Sequence, residues 1–281
     1  MDRDVKTKKK EAERGYLHGF TREEQDRLQR QARFLEHRIH DRLPYWKCRR
    51  LLEIGCGVGA QTEILLRYFP ELHITGIDHS ASNLARAEEN LSKLLWAEGR
   101  YELRREDAMR LSFPAEAFDG AFLCWVLEHV SDPMRVLSEA RRVLRPGAPL
   151  VVTEVQNATF FIDPYSPHTM AYWLAFNDHQ LELGGDPFVG AKLGNLLLAL
   201  GYQDITTKVR NIHLDNRAPG ERAEFLAFWT ELLLSGAPGL QAAGKVSDET
   251  VEGMKEELGR VAHDPNSVFF YSFIQARARV M

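Results

Sequence analysis

Gly55, Gly57 and Gly59 alternate between a short apolar run, Leu51 to Ile54, and a stretch with helical spacing, Ala60 to Phe69. The run reads as a buried strand and the stretch as the helix that follows it. Glycines so spaced let the chain turn tightly and let a ligand lie directly on backbone. Asp78 closes the next apolar run, Leu72 to Ile77. A carboxylate there can accept both hydroxyls of a ribose. The pairing points to a site for a nucleoside-bearing cofactor.

Two cofactor classes fit the glycines. Gly55-x-Gly57-x-x-Ala60 also satisfies the relaxed dinucleotide fingerprint. Glu53 separates the two. A pyrophosphate would bring negative charge to this loop, where a carboxylate two residues before the first glycine is unfavourable. A cofactor carrying an ammonium and a sulfonium suits an acidic loop. With Glu53-Ile-Gly55-Cys56-Gly57-Val-Gly59 the chain resembles the class I S-adenosylmethionine-dependent methyltransferases, whose first motif is an acidic residue followed by Gly-x-Gly-x-Gly. Three further segments carry the resemblance: Glu106-Asp107-Ala108, Phe118 through Val130, and Val143 through Glu154 with its Pro146-Gly147 turn. Leu127-Glu128-His129-Val130 looks like the branch that methylates quinones and isoprenoid lipids.

The resemblance implies S-adenosylmethionine as cofactor and S-adenosylhomocysteine as product; no metal is expected, since His37 and His40, three apart on a helix, read as surface residues and not as metal ligands. It implies that the turn at Gly55, Cys56, Gly57 and Gly59 lies against the methionine and ribose portion. Glu53 would hold the loop and the amino end, Asp78 the ribose hydroxyls, and Asp107 with Ala108 the adenine. His79 would flank the adenine, or be an exposed histidine after a strand. Tyr16-Leu-His18-Gly19-Phe20 and the helix after it resemble the lid of small-molecule members. Tyr16 would cover the sulfonium. Arg27 and Gln31, four apart on one helix face, would approach the cofactor carboxylate. The plainer reading of Arg27 is a surface arginine on a charged helix.

The elements that must position these residues follow from patterning. Thr21 and Glu24 form a capping box, and Leu28, Ala32, Leu35 and Ile39 repeat at helical spacing, which predicts a helix over 22–42. Strands at 51–54, 72–77, 101–105, 119–125 and 149–155 alternate with helices at 60–69, 81–97 and 133–144. Alternation of this kind implies a mostly parallel sheet. Further helices are expected from Ser166-Pro167 to Gly184 and at 188–200, 219–235 and 247–262, with strands at 204–212 and 268–279. The fold class is α/β, a Rossmann-like doubly wound sheet, with an N-terminal lid helix and helical insertions. By resemblance its strand order is 3-2-1-4-5-7-6 with strand seven antiparallel. The expected division is a disordered tail at 1–15, a lid helix at 16–45, and a methyltransferase domain at 46–281 with substrate-cap insertions near 156–200 and 215–265.

Methyl transfer from a sulfonium is an in-line displacement with an excellent leaving group. The protein has mainly to position the nucleophile and exclude water, so no triad is expected. At the end of strand four, His129 stands where a base would be useful; it reads equally as a packing residue beside the cofactor. His179, Tyr172 and Glu154 are further candidates. Phe160, Phe161, Tyr165, Tyr172, Trp173 and Phe176 crowd a short segment. Such a stripe is core or lines a pocket for a planar or cationic acceptor.

The 281-residue chain is 44% hydrophobic with a formal charge of −4. That charge argues against nucleic acid as partner. No apolar stretch approaches the roughly 20 residues that span a bilayer. Cys48, Cys56 and Cys124 have neither metal nor disulfide spacing. A cytoplasmic methyltransferase acting on a small molecule is the leading expectation, with oligomerisation open. The alternatives are a quinone or isoprenoid-lipid C-methyltransferase, a catalytically silent S-adenosylmethionine-binding protein, and a dinucleotide-dependent oxidoreductase.

Overall fold

The computed structural model describes residues 21–281. In chain order the elements are α1 (Arg22–His40), β1 (Arg50–Ile54), α2 (Ala60–Tyr68), β2 (His73–Asp78), α3 (Ala81–Leu91), β3 (Tyr101–Arg105), β4 (Gly120–Cys124), α4 (Pro133–Val143) and β5 (Pro149–Val155). Then follow β6 (Phe161–Asp163), α5 (Pro167–Glu182), α6 (Val189–Ala199), β7 (Gln203–Leu214), α7 (Pro219–Ala242), α8 (Asp248–His263) and β8 (Val268–Arg279). The chain divides into two compact units. A sheet unit takes residues 28–156, 188–210 and 273–281; a helical unit takes 157–187, 211–272 and the start of α1 through Arg27.

In the sheet unit, parallel pairing runs β3-β2-β1-β4-β5, and β8 lies antiparallel on β5 with Pro149 opposite Arg279. β7 pairs with β8. This is the expected order 3-2-1-4-5-7-6, with β8 as the antiparallel strand seven and β7 as strand six. β5 is buried at every position, as befits a strand covered on both faces. Leu52, Ile54, Leu123, Leu137, Ala140, Leu150 and Val152 share one core cluster. The α4 start is the Asp132-Pro133 signal made real: the Arg135 N–H donates to Asp132 Oδ1 at 2.9 Å. The far end of α1 is tied down by Gln275, whose Nε2 donates to the Ile39 carbonyl (2.7 Å) and to Thr153 Oγ1 (3.2 Å).

Helix α6 belongs to the sheet unit because it rests directly on β5. A Cβ on Gly190 would stand 2.5 Å from the Val155 carbonyl oxygen and 2.7 Å from that of Glu154. Both are backbone atoms and cannot swing aside. Gly190→Ala is therefore expected to lower the thermal midpoint by several degrees, equivalent to about 1–3 kcal/mol of overpacking. Thermal denaturation followed by circular dichroism checks this, and an unchanged midpoint would contradict the close approach.

Two elements depart from expectation in the sheet and helical units. α3 stops at Leu91 rather than running to 97, and the chain tightens into a 3-10 turn at Leu95–Ala97 before entering β3. α7 runs on to Ala242, past Pro238. The Ser235-Gly236-Ala237-Pro238-Gly239 run reads as a stop, but Leu233, Ala237 and Leu240 are buried at helical spacing, and that burial outweighs the missing proline N–H. The strand β6 was not anticipated; it pairs antiparallel with Val268–Phe270 of β8 within the helical unit.

The aromatic stripe is mostly core of the helical unit. Trp173, Phe176 and Phe160 are 5–7% exposed, with Phe160 stacked on Trp229 and Trp173 on Phe176. Phe161 and Tyr165 are exposed. Glu257 caps α5, accepting from the backbone N–H groups of His168 and Thr169 and from the Thr169 hydroxyl. Buried Arg222 donates to the carbonyls of Ala262, in the last turn of α8, and of Asp264 and Ser267 just past it. Among the described residues no helix is long and apolar enough to cross a membrane.

Candidate cofactor site

The sheet reverses its winding at β1, whose neighbours β2 and β4 carry the chain outward in opposite directions. Ligands of open α/β sheets bind at such a point, outside the carboxyl ends of the strands. The turn from Gly55 to Gly59 sits there. The N–H groups of Gly55 and Cys56 both donate to the Ile77 carbonyl, at 2.8 and 2.9 Å, which ties the turn to β2. Gly57 has φ +53°, and a Cβ placed on it would meet nothing within 4 Å. Its glycine identity thus answers to backbone conformation and to an open face, not to packing. Gly59 caps α2 with no side-chain hydrogen bond, leaving the first-turn N–H groups without a side-chain cap.

Asp78 ends β2 beneath this turn. Its Oδ2 accepts from the Gly57 N–H (3.0 Å) and its Oδ1 from the Ser80 N–H (2.8 Å). Burial raises its pKa, against the N–H groups of Ser80 and Gly57 and the Asn83 side chain, which favour the ionised form. Each carboxylate oxygen has a second lone pair for a ligand hydroxyl. His79 is exposed, with Nδ1 3.6 Å from Asp78 Oδ1. One strand further out, the Glu106 N–H donates to the Asp78 carbonyl, which puts Asp107 next along the same edge. Asp107 is exposed and folds an Asx turn, accepting from the Met109 N–H at 2.9 Å; Ala108 is half-buried beside the core cluster.

Glu53 lies on the β1 side of the turn and is 1% exposed. The Thr62 hydroxyl donates to its Oε2 at 2.6 Å. Burial pushes its pKa up to about 8; the Thr62 bond lowers it and the Asp78 charge raises it further. Cys56 is a buried free thiol whose pKa burial also raises.

Beyond β4 the structure reveals a residue whose role spacing could not disclose. Glu154, fully buried on β5, accepts from the backbone N–H groups of Val126 (3.0 Å), Leu127 (2.8 Å) and Glu128 (3.3 Å). Burial, then the Glu128 charge, raises its pKa to about 8. This carboxyl holds the 3-10 turn Leu127–His129. Val126, in the same loop, packs where a Cβ on Gly55 would stand, 2.5 Å from its Cγ2. The only sequence signal was a polar Thr153-Glu154 pair closing an apolar strand. His129 is on the held turn, with Nε2 3.6 Å from Glu128 Oε1 and a side chain 20% exposed.

The remaining expected residues fall elsewhere. Tyr16 lies outside the described residues. Arg27 is 3% exposed, and its guanidinium donates to both oxygens of Glu24, at 2.6 and 2.7 Å, within the helical unit. The reading as a surface arginine is corrected by that burial, and the cofactor-facing reading meets a guanidinium already engaged. Gln31 is half-buried on α1. Tyr172 is fully buried and its hydroxyl donates to the Leu233 carbonyl, an anchor of α5 on α7. His179 has Nδ1 3.7 Å from Glu182 Oε2 in the same unit. Of the candidate bases, His129 and Glu154 belong to the unit that carries the glycine turn, and Tyr172 and His179 to the other.

Residues 52–152 match the family described as "Methyltransferase domain". The chain is 39% identical over 103 residues to a phosphatidylethanolamine N-methyltransferase of Cereibacter sphaeroides, covering 37% of this chain and 49% of that protein. It is 32% identical over 128 residues to a demethylmenaquinone methyltransferase of Desulfitobacterium hafniense, covering 45% and 48%. The chain thus spans about half the length of these curated relatives. The solved phosphoethanolamine N-methyltransferase 2 of Haemonchus contortus, in complex with S-adenosyl-L-methionine, superposes with a TM-score of 0.54 at 20% identity, over 89% of this chain and 52% of that one. The last likeness shows the fold alone; the family match and the relatives carry the likeness in sequence. Residues 52–152 of this chain are thus similar to the class I, S-adenosylmethionine-dependent methyltransferase domains.

Proposed function

We propose that the protein transfers a methyl group from S-adenosylmethionine to a small-molecule acceptor. The observation that carries the reading is the glycine turn, open at Gly57 and tied to a buried Asp78, with Asp107 next along the same edge. The cofactor supplies an electrophilic methyl group on a cationic sulfur. The turn offers bare backbone to the methionine portion, Asp78 two acceptor oxygens to the ribose, and Asp107 with Ala108 a place for the adenine. Glu53 and Glu154 put carboxyl groups on either side of β4, which suits a cationic ligand. His129, held by the turn that Glu154 clamps, is assigned to take the acceptor's proton where the acceptor has one to lose. No metal takes part in this reading.

The relatives act on an amine-bearing phospholipid and on a quinone precursor, as their names state. A lipid acceptor is accordingly the second reading, favoured by that likeness alone. A cytoplasmic place fits three cysteines that are all free.

Calorimetric titration with S-adenosylhomocysteine and, in parallel, NAD tests the proposal. Micromolar binding of the first and none of the second is expected, followed by transfer of labelled methyl to members of an amine, phenol and quinone panel. Preference for NAD would overturn it. Transfer only to acceptors presented in vesicles would decide for the lipid reading.

A further inference from the structure

Gln61 occupies the first turn of α2, directly after the glycine turn. Its side chain reaches across the end of β1 to Cys124, the last residue of β4, where Nε2 stands 3.8 Å from Sγ. The other end of the amide, Oε1, is buried and has no hydrogen-bond partner. A buried carbonyl oxygen without a donor is costly and rare in a folded protein, and where one faces a ligand site the ligand is the natural source of the donor. The missing partner is therefore an N–H or O–H group, not an anion.

The surroundings favour a cation. The Cys124 sulfur beside the amide lies within electrostatic reach of Glu154, Glu53 and Glu128. The terminal torsion of a glutamine is soft, so Oε1 can turn toward an entering donor at little cost.

We infer that Gln61 Oε1 accepts a hydrogen bond from the α-ammonium group of the cofactor's amino-acid tail and makes the site selective for adenosyl sulfur compounds that retain it. The inference rests on the cofactor reading above and adds a residue that neither the motif nor the family match assigns. Glu53 supports the same ammonium through charge; Gln61 supplies the directional contact.

Three ligands separate the contacts: S-adenosylhomocysteine, its decarboxylated form, which keeps the amine and lacks the carboxylate, and 5′-methylthioadenosine, which lacks both. Binding is read by calorimetry on the full chain. Gln61→Leu is expected to weaken the first two by about tenfold or more, as loss of a hydrogen bond to a charged group does, and to leave the third within twofold. Gln61→Glu, which keeps an acceptor at the same reach, is expected to restore both. Equal weakening of all three ligands would mean that Gln61 merely shapes the turn, and would overturn the assignment. Weakening confined to the ligand with a carboxylate would overturn it too, as would no change at all. Failure of the unsubstituted protein to bind any of the three would instead sink the cofactor reading, and this assignment with it.

Discussion

Asp78→Ala is expected to weaken S-adenosylhomocysteine binding by at least a hundredfold while leaving a folded protein. Two losses combine. On the proposed reading, the hydrogen bonds a ribose diol donates to the carboxylate would be charge-assisted, each worth about 1.5–3 kcal/mol. The same oxygens also hold the Gly57 and Ser80 N–H groups, so the turn that receives the ligand loses its tether as well. The fold should survive, because the Gly55 and Cys56 N–H groups still bond the Ile77 carbonyl and Ser80 still caps α3 through its hydroxyl, which accepts from the Asn83 N–H. Asp78→Asn is the sharper variant. It keeps one acceptor and presents an NH2 group to a backbone N–H or to the ribose, so an intermediate loss is expected. Calorimetry measures both, with circular dichroism as the folding control. Binding within threefold of the unsubstituted protein would remove Asp78 from the cofactor site.

The place of Asp78 at the end of β2 was legible in the sequence because an apolar run closes there on a carboxylate. The glycine turn was legible because alternate glycines after an apolar run have a backbone meaning. The mostly parallel sheet followed from strand–helix alternation, and its strand order, with the antiparallel β8, from the resemblance. What stayed hidden depends on tertiary placement. Glu154 looks like any polar strand end until three backbone N–H groups are seen to converge on it. Gln61 carries no motif; only the fold shows that one end of its amide is orphaned. The aromatic stripe had the spacing of both a pocket and a core, and the burial of Trp173, Phe176 and Phe160 is what decides for core. Pro238 failed as a stop signal because local propensity loses to apolar burial on both sides of it.

Glu53→Gln is expected to stabilise the protein at pH 8 and to leave stability at pH 4.5 nearly unchanged. The carboxyl is buried, and burial raises its pKa to about 8, far above the value of about 4.3 for an unfolded chain. Below the unfolded value both states carry the proton and no difference arises. Between the two values the folded state holds a proton that the unfolded state has released, so stability falls as pH rises. At about 1.4 kcal/mol per pH unit, the loss by neutral pH is of order 3 kcal/mol. Glutamine removes the titration and keeps a carbonyl oxygen for the Thr62 hydroxyl, so little else changes. Glu154 has a pKa raised to about 8 as well, yet its glutamine variant should not gain in the same way. It would have to turn an NH2 group toward one of the N–H donors of residues 126–128, exchanging a hydrogen bond for a repulsion. Thermal midpoints of the two variants across pH 4.5 to 8 test the contrast. A flat difference between Glu53→Gln and the unsubstituted protein would show that Glu53 titrates normally. A carboxyl retained where it weakens the fold at neutral pH is what a site for a cation would require: on the proposed reading, the ammonium of a bound cofactor would make the ionised form of Glu53 favourable.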